Sequence, residues 1–123
     1  MARVLIVDDS PTETFKITEI LKKRGHTVLT AGGGEEGVSM AKKEVPDLIL
    51  MDVVMPGMNG FQATRQISKN PSTSHIPIVI VTTKDQETDK LWGKRQGASS
   101  YLTKPIDEKA LAKAVDDLLA AGK

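Results

Sequence analysis

Five short apolar runs punctuate the chain: Val4 to Val7, Val28 to Ala31, Leu48 to Met51, Ile76 to Val81 and Tyr101 to Thr103. Stretches with helical spacing of their apolar residues separate and follow them, and this alternation predicts a parallel sheet covered by helices. Runs such as Leu48-Ile49-Leu50-Met51 contain no polar alternation, as expected of strands buried on both faces of a doubly wound sheet. The predicted fold class is therefore α/β.

The helical stretches carry their own start and stop signals. Ser10-Pro11-Thr12-Glu13 reads as a capping box with proline at the first helical position, Ile17, Ile20 and Leu21 form the inner face, and Lys22, Lys23 and Arg24 precede Gly25. A second helix runs from about Gly34 to Val45 and ends before Pro46. Asn59-Gly60-Phe61-Gln62 offers another cap, and Asn70-Pro71 another stop. The last helix begins near Asp107 and presents Leu111, Ala114, Val115 and Leu118 on one face. The loop at Ser72, Thr73 and Ser74 is the segment expected to move most.

Length and charge narrow the function classes. With 123 residues the chain supports one compact core, so a single domain over residues 1–123 is expected. Seventeen basic against sixteen acidic side chains leave a net charge of +1, which argues against a surface built for nucleic acid or anionic lipid. Cysteine is absent, which excludes disulfides and thiolate metal sites and fits a reducing cytosol. The run Val4 to Val7 is cut off by Asp8 and Asp9, so neither a signal-peptide core nor a membrane span can be drawn, and a cytoplasmic location is expected.

The polar residues at the strand ends carry the chemistry. In an open parallel sheet, groups just past the carboxyl ends of the strands converge on one edge, where ligands bind. Asp8 and Asp9 follow the first run, Asp52 the third, Thr82 the fourth and Lys104 the fifth. Each alone has an ordinary reading: an aspartate caps a helix, a threonine satisfies a strand end, Lys104-Pro105 makes a turn. Together they define a pocket. Three crowded carboxylates repel one another unless a cation is shared among them. Oxygen-only donors select a hard ion such as magnesium, which tolerates an incomplete protein shell and takes phosphate oxygens. Lys104 supplies a charge for a phosphoryl group and the Thr82 hydroxyl a hydrogen bond.

Asp8-Asp9 behind Leu5-Ile6-Val7, Asp52 within Met51-Asp52-Val53-Val54-Met55-Pro56-Gly57-Met58-Asn59-Gly60, Thr82, and Tyr101-Leu102-Thr103-Lys104-Pro105 occur here together and in order. In this combination the chain resembles a response-regulator receiver domain over its whole length. The resemblance implies a flavodoxin-like five-stranded sheet of order 2-1-3-4-5 with five helices. It implies Asp52 as phosphoacceptor and Mg2+ held by Asp9, Asp52 and the Val54 carbonyl, with Asp8 helping through water. Lys104 would pair with the phosphoryl group, Thr82 would move toward it and Tyr101 would change rotamer, and the bond before Pro105 would be cis. The phosphodonor would be a histidine kinase. The protein would then be a switch that assists its own phosphorylation and dephosphorylation rather than an enzyme acting on a separate substrate.

The output surface implied is the helix from Asp85 to Gln96, the strand at Tyr101 and the last helix, with Lys90, Trp92 and Lys94 as candidates for contact with a downstream protein target. Trp92 fits a core position equally well. Gly60-Phe61-Gln62-Ala63-Thr64-Arg65-Gln66 and the stretch from Val81 to Gly97 are similar to the PilH-type single-domain receivers of type IV pilus chemosensory systems. That similarity implies a chemotaxis-type kinase and an output in twitching motility. The chain departs from the family's usual pattern at Thr83, at Val54 and Lys84, which stand where acyl-phosphate lifetime is tuned, and at Ile106, where phenylalanine is common.

Three other readings compete. Gly32-Gly33-Gly34-Glu35-Glu36-Gly37 matches the spacing of a dinucleotide fingerprint, but it follows the second strand, and the acid ending the next strand is Asp52. A magnesium-dependent phosphohydrolase also uses an aspartyl nucleophile, yet the Asp8-Asp9 doublet replaces the alternating acids expected there, and the length leaves no room for a cap domain. Within the switch reading, direct output and a phosphate sink for a shared kinase both remain open.

Overall fold

The computed structural model describes residues 1–121. Its elements are β1 (Arg3–Val7), α1 (Pro11–Lys23), β2 (Thr27–Ala31), α2 (Gly34–Glu44), β3 (Leu48–Met51), α3 (Gly60–Lys69), β4 (Ile78–Thr82), α4 (Glu87–Gln96), β5 (Ser100–Thr103) and α5 (Glu108–Ala121). The strands form one parallel sheet in the order β2-β1-β3-β4-β5, the expected doubly wound arrangement. Because chain order reverses at β1, a crevice opens beyond the carboxyl ends of β1 and β3.

Strand periodicity explains the two cores. On one face Val4, Ile6, Leu48, Leu50, Val79 and Val81 pack against Ile17, Ile20 and Leu21 of α1 and Leu111 and Val115 of α5. On the other, Leu5, Val7, Ile49, Met51 and Ile78 meet Val38 and Ala41 of α2 and Ala63 and Ile67 of α3. Successive strand residues thus serve opposite layers. The inner strands β3 and β4 are buried throughout, whereas the edge strands β2 and β5 are partly exposed. Ile106, which stands where the family often has phenylalanine, is buried in the α1–α5 layer.

Local signals account for most boundaries. Asn59 and Gln62 form a complete capping box, Gln62 N–H donating to Asn59 Oδ1 at 2.9 Å and Asn59 N–H to Gln62 Oε1 at 3.0 Å. Ser10 accepts from Glu13 N–H at 3.3 Å, but the return half of that expected box is absent. Ser10 N–H instead donates to Asp8 Oδ1 at 2.9 Å, so the site takes the donor the cap would have used. β4 begins at Ile78 rather than Ile76, because Ile76 N–H closes a turn onto the Thr73 carbonyl. α4 begins at Glu87, two residues after the expected start at Asp85. The Ser72–Ser74 loop is anchored from within: Thr73 is buried and its hydroxyl donates to the Ile67 carbonyl at 2.7 Å.

The glycines of the fingerprint-like segment serve packing. A Cβ on Gly34 would lie 2.5 Å from the Met58 carbonyl oxygen, and one on Gly37 would lie 2.8 Å from Val7 Cγ1. These glycines let α2 lie close on β1 and on the loop before α3. Gly60 is tighter still, since a Cβ there would fall 2.0 Å from the Asp52 carbonyl oxygen. Backbone cannot yield as a side-chain tip can, so Gly60→Ala should cost about 3 kcal/mol, read as a lowered urea midpoint. Val45, the residue that ends α2, adopts φ 42 and ψ 65, a left-handed conformation unfavourable for a β-branched side chain. Its side chain is exposed, so little burial is lost on substitution. Val45→Asn should therefore gain about 1 kcal/mol, read by the same denaturation curve.

Candidate functional site

Strand register creates the site. Val7 pairs with Met51, so the next residues along each strand, Asp8 and Asp52, emerge side by side at the crevice. Asp52 N–H donates to the Val7 carbonyl at 2.9 Å and Asp8 N–H to the Ala31 carbonyl at 3.1 Å, fixing both backbones. Carboxylate oxygens of Asp8, Asp9 and Asp52 all lie within 4.8 Å of one another. Asp8 and Asp52 are buried, whereas Asp9 is exposed.

Lys104 directly follows the end of β5, and a cis peptide bond links it onward to Pro105. Its N–H donates to the Thr82 carbonyl at 2.8 Å, holding the loop against β4. Its Nζ lies 2.9 Å from Asp8 Oδ2 and 3.7 Å from Asp52 Oδ2, with both ion pairs largely shielded from solvent. Burial works against the Lys104 ammonium, but the bond to Asp8 and the negative charges of Asp52, Asp8 and Glu13 outweigh it, and its pKa is raised. One cation cannot balance three carboxylates.

The imbalance falls on Asp52. Burial pushes its pKa up, Lys104 pulls it down, Asp8 pushes it up again, and hydrogen bonds from the Thr82 hydroxyl and the Val54 amide lower it; the net direction is upward. A carboxylate that resists ionisation in its own protein is one that further positive charge would stabilise. The donor set fits a hard divalent ion, being all oxygen and gathered within ion-bridging distance. Asp8 is engaged at both oxygens, by Lys104 and by Ser10 N–H, while Asp9 is free to turn toward an ion. Val54 has an exposed side chain, and its N–H reaches Asp52 Oδ1 at 3.4 Å.

Thr82 and Tyr101 meet through one residue. Lys84 N–H lies 3.5 Å from Thr82 Oγ1, and the Lys84 carbonyl accepts from the Tyr101 hydroxyl at 2.8 Å. Lys84 thus faces both side chains, its N–H toward Thr82 and its carbonyl toward Tyr101. Burial, followed by the charges of Asp89, Asp85 and Asp52, pushes the Tyr101 phenol up to about 12. The Lys84 side chain points away from the crevice toward Asp89, with Nζ 4.0 Å from Oδ1. Thr83 is exposed.

Of the three surface candidates, Lys90 and Lys94 line a cleft of ≈ 270 Å³ with Ala98, Ser99, Ser100 and Tyr101. Trp92 does not join them. It is half exposed, so the core reading of this ring is ruled out. The sequence reading missed a larger cleft of ≈ 440 Å³ beside the acids, lined by Asp8, Asp9, Pro11, Phe15 and Thr30 among others. Phe15 is 67% exposed; its position off the Ile17, Ile20, Leu21 face was the signal that could have found it.

A family model described as "Response regulator receiver domain" matches residues 4–116. Protein PilH of Pseudomonas aeruginosa is 64% identical over 120 residues, which cover 98% of this chain and 99% of that protein. Response regulator PleD of Caulobacter vibrioides is 42% identical over 107 residues, 87% of this chain but 24% of that protein. Among solved structures, Vibrio cholerae chemotaxis protein CheY4 superposes with a TM-score of 0.90 at 34% identity, covering 96% of this chain and 98% of that one. A response regulator from Chloroflexus aurantiacus reaches 0.92 at 32% identity over 97% and 98% of the two chains. No helix among the described residues is long and apolar enough to cross a membrane. Sheet order, the acid cluster with its lysine, and these likenesses agree, and the chain belongs to the response regulator receiver domain family.

Proposed function

We propose that this chain is a stand-alone switch of a two-component system, in which Asp52 accepts a phosphoryl group from the phosphohistidine of a histidine kinase. The observation that carries the reading is a buried carboxylate of raised pKa set between a half-buried lysine and two further acids. Asp9 and Asp52, with the Val54 carbonyl, would hold Mg2+, and Asp8, already bound by Lys104, would act through water. Magnesium in that position supplies the positive charge that lets an anionic donor approach an anionic acceptor. A carboxylate oxygen of Asp52 attacks phosphorus, the phosphorus–nitrogen bond breaks, and its electron pair returns to the imidazole, which takes up a proton.

Lys104 pairs with the transferred group, and Thr82 turns its hydroxyl toward it. The acyl phosphate adds negative charge where one carboxylate stood, and the Thr82–Lys84–Tyr101 connection passes that change to α4 and β5. Extensive identity to PilH supports a chemotaxis-type kinase as donor, a cytoplasmic location and an output in pilus-based twitching motility. Lys90 and Lys94, beside Tyr101, are the contact residues for a downstream protein.

Two experiments test this. Incubation with magnesium and a small phosphodonor should add one phosphoryl group by intact mass, and both Asp52→Asn and chelation of the metal should abolish it; label at another side chain would refute the assignment. The second concerns pH. A carboxyl whose folded pKa is raised favours folding below its unfolded value and loses that contribution as pH rises through the folded one. In metal-free buffer Asp52→Asn should therefore raise the urea midpoint at neutral pH, with the gain disappearing in acid below the ordinary carboxylate range.

A further inference from the structure

Gly93 sits in the middle of α4, where glycine costs about 1 kcal/mol relative to alanine. It is no turn and no cap, and it is buried, so its use must lie in what it lets approach. A Cβ at this position would stand 2.9 Å from Ile80 Cδ1 and 3.1 and 3.2 Å from Cδ2 and Cε2 of the Tyr101 ring. The Ile80 atom is the tip of a flexible side chain and can give way. The aromatic edge is rigid, and its hydroxyl is already committed to the Lys84 carbonyl at 2.8 Å. The ring thus lies against the bare helix backbone, and a Cβ at position 93 requires its edge to shift by a few tenths of an ångström.

We infer that Gly93 is a positioning residue: by lacking a side chain it gives the Tyr101 ring a seat on α4, and so keeps open the neighbouring cleft lined by Lys90, Lys94 and Ser100. Tyr101 itself lines that cleft, so a shift of the ring changes the cleft's wall. Gly93 would then set which of two shapes the surface presents to a partner. That consequence rests on the switch reading above, but the seat itself belongs to the unphosphorylated protein.

The chain contains one tyrosine and one tryptophan, so the ring can be followed without ambiguity. Side-chain NMR on the metal-free, unphosphorylated protein should show ring-proton contacts to Gly93 and the Ile80 methyls and a single χ1 rotamer. In Gly93→Ala those contacts should be lost and the rotamer become mixed or reversed. The alkaline ultraviolet titration of the phenol, which is faced by Asp89 on α4, Asp85 on the loop before it and Asp52 just past β3, should shift down toward that of an ordinary tyrosine. A folded Gly93→Ala chain with ring contacts, rotamer and titration unchanged would overturn the inference.

Should that variant not fold, Gly93→Ala in an Ile80→Val background removes the Cδ1 contact and carries the same test. Displacement of the ring there supports the seat, and a ring still in place assigns the clash to Ile80 and overturns it. In Tyr101→Ala/Ile80→Val, alanine at 93 should raise the urea midpoint, since only the helix preference then remains; a lowered midpoint would contradict the proposal. Because no phosphodonor is present, these outcomes are independent of whether Asp52 is the acceptor.

Discussion

Crowding of negative charge at one sheet edge is the constraint on which the rest of the structure depends. Parallel pairing of Val7 with Met51 places Asp8 and Asp52 next to each other before any side chain is considered, and Asp9 adds a third acid. Lys104 reaches Asp8 closely and Asp52 less closely. It is one positive charge among three negative ones, and both burial and Asp8 leave Asp52 harder to ionise than a free carboxylate. In the low-dielectric surroundings of the crevice such an arrangement is costly when left unbalanced. A cation shared among the three carboxylates would relieve it.

The same geometry gives the surroundings their roles. Gly60 abuts the Asp52 carbonyl, so α3 fixes Asp52 from behind while the Asn59–Gln62 box fixes α3. Thr82 and Lys104 are held by neighbouring strand ends. Lys84 is bonded through its N–H to Thr82 and through its carbonyl to Tyr101, so two hydrogen bonds lie between the charged crevice and the surface beside α4.

Much of this was legible in the sequence. Uninterrupted apolar runs gave the inner strands, and β3 falls where Leu48 to Met51 placed it. The acids, threonine and lysine at the strand ends gave the pocket, because a parallel sheet brings such positions together wherever the helices between them lie. What the sequence hid depends on competition or on distance. Ser10 looked like half of a reciprocal cap, but Asp8 claims its N–H. Ile76 looked like strand, but the turn at Thr73 uses its amide. Trp92 could be placed on the surface only by three-dimensional burial. Gly34 and Gly37 read as a ligand signal in one dimension, and their close neighbours, Met58 and Val7, lie elsewhere in the chain.

The central claim is that the cluster of Asp8, Asp9 and Asp52 is incomplete without a divalent cation. Thermal unfolding against magnesium concentration measures this most directly, since a ligand that binds only the folded state raises stability with the logarithm of its concentration once its site fills. The account predicts a melting temperature that climbs with added magnesium in the unaltered chain, and loses that dependence in Asp9→Asn. A melting temperature indifferent to magnesium would contradict it.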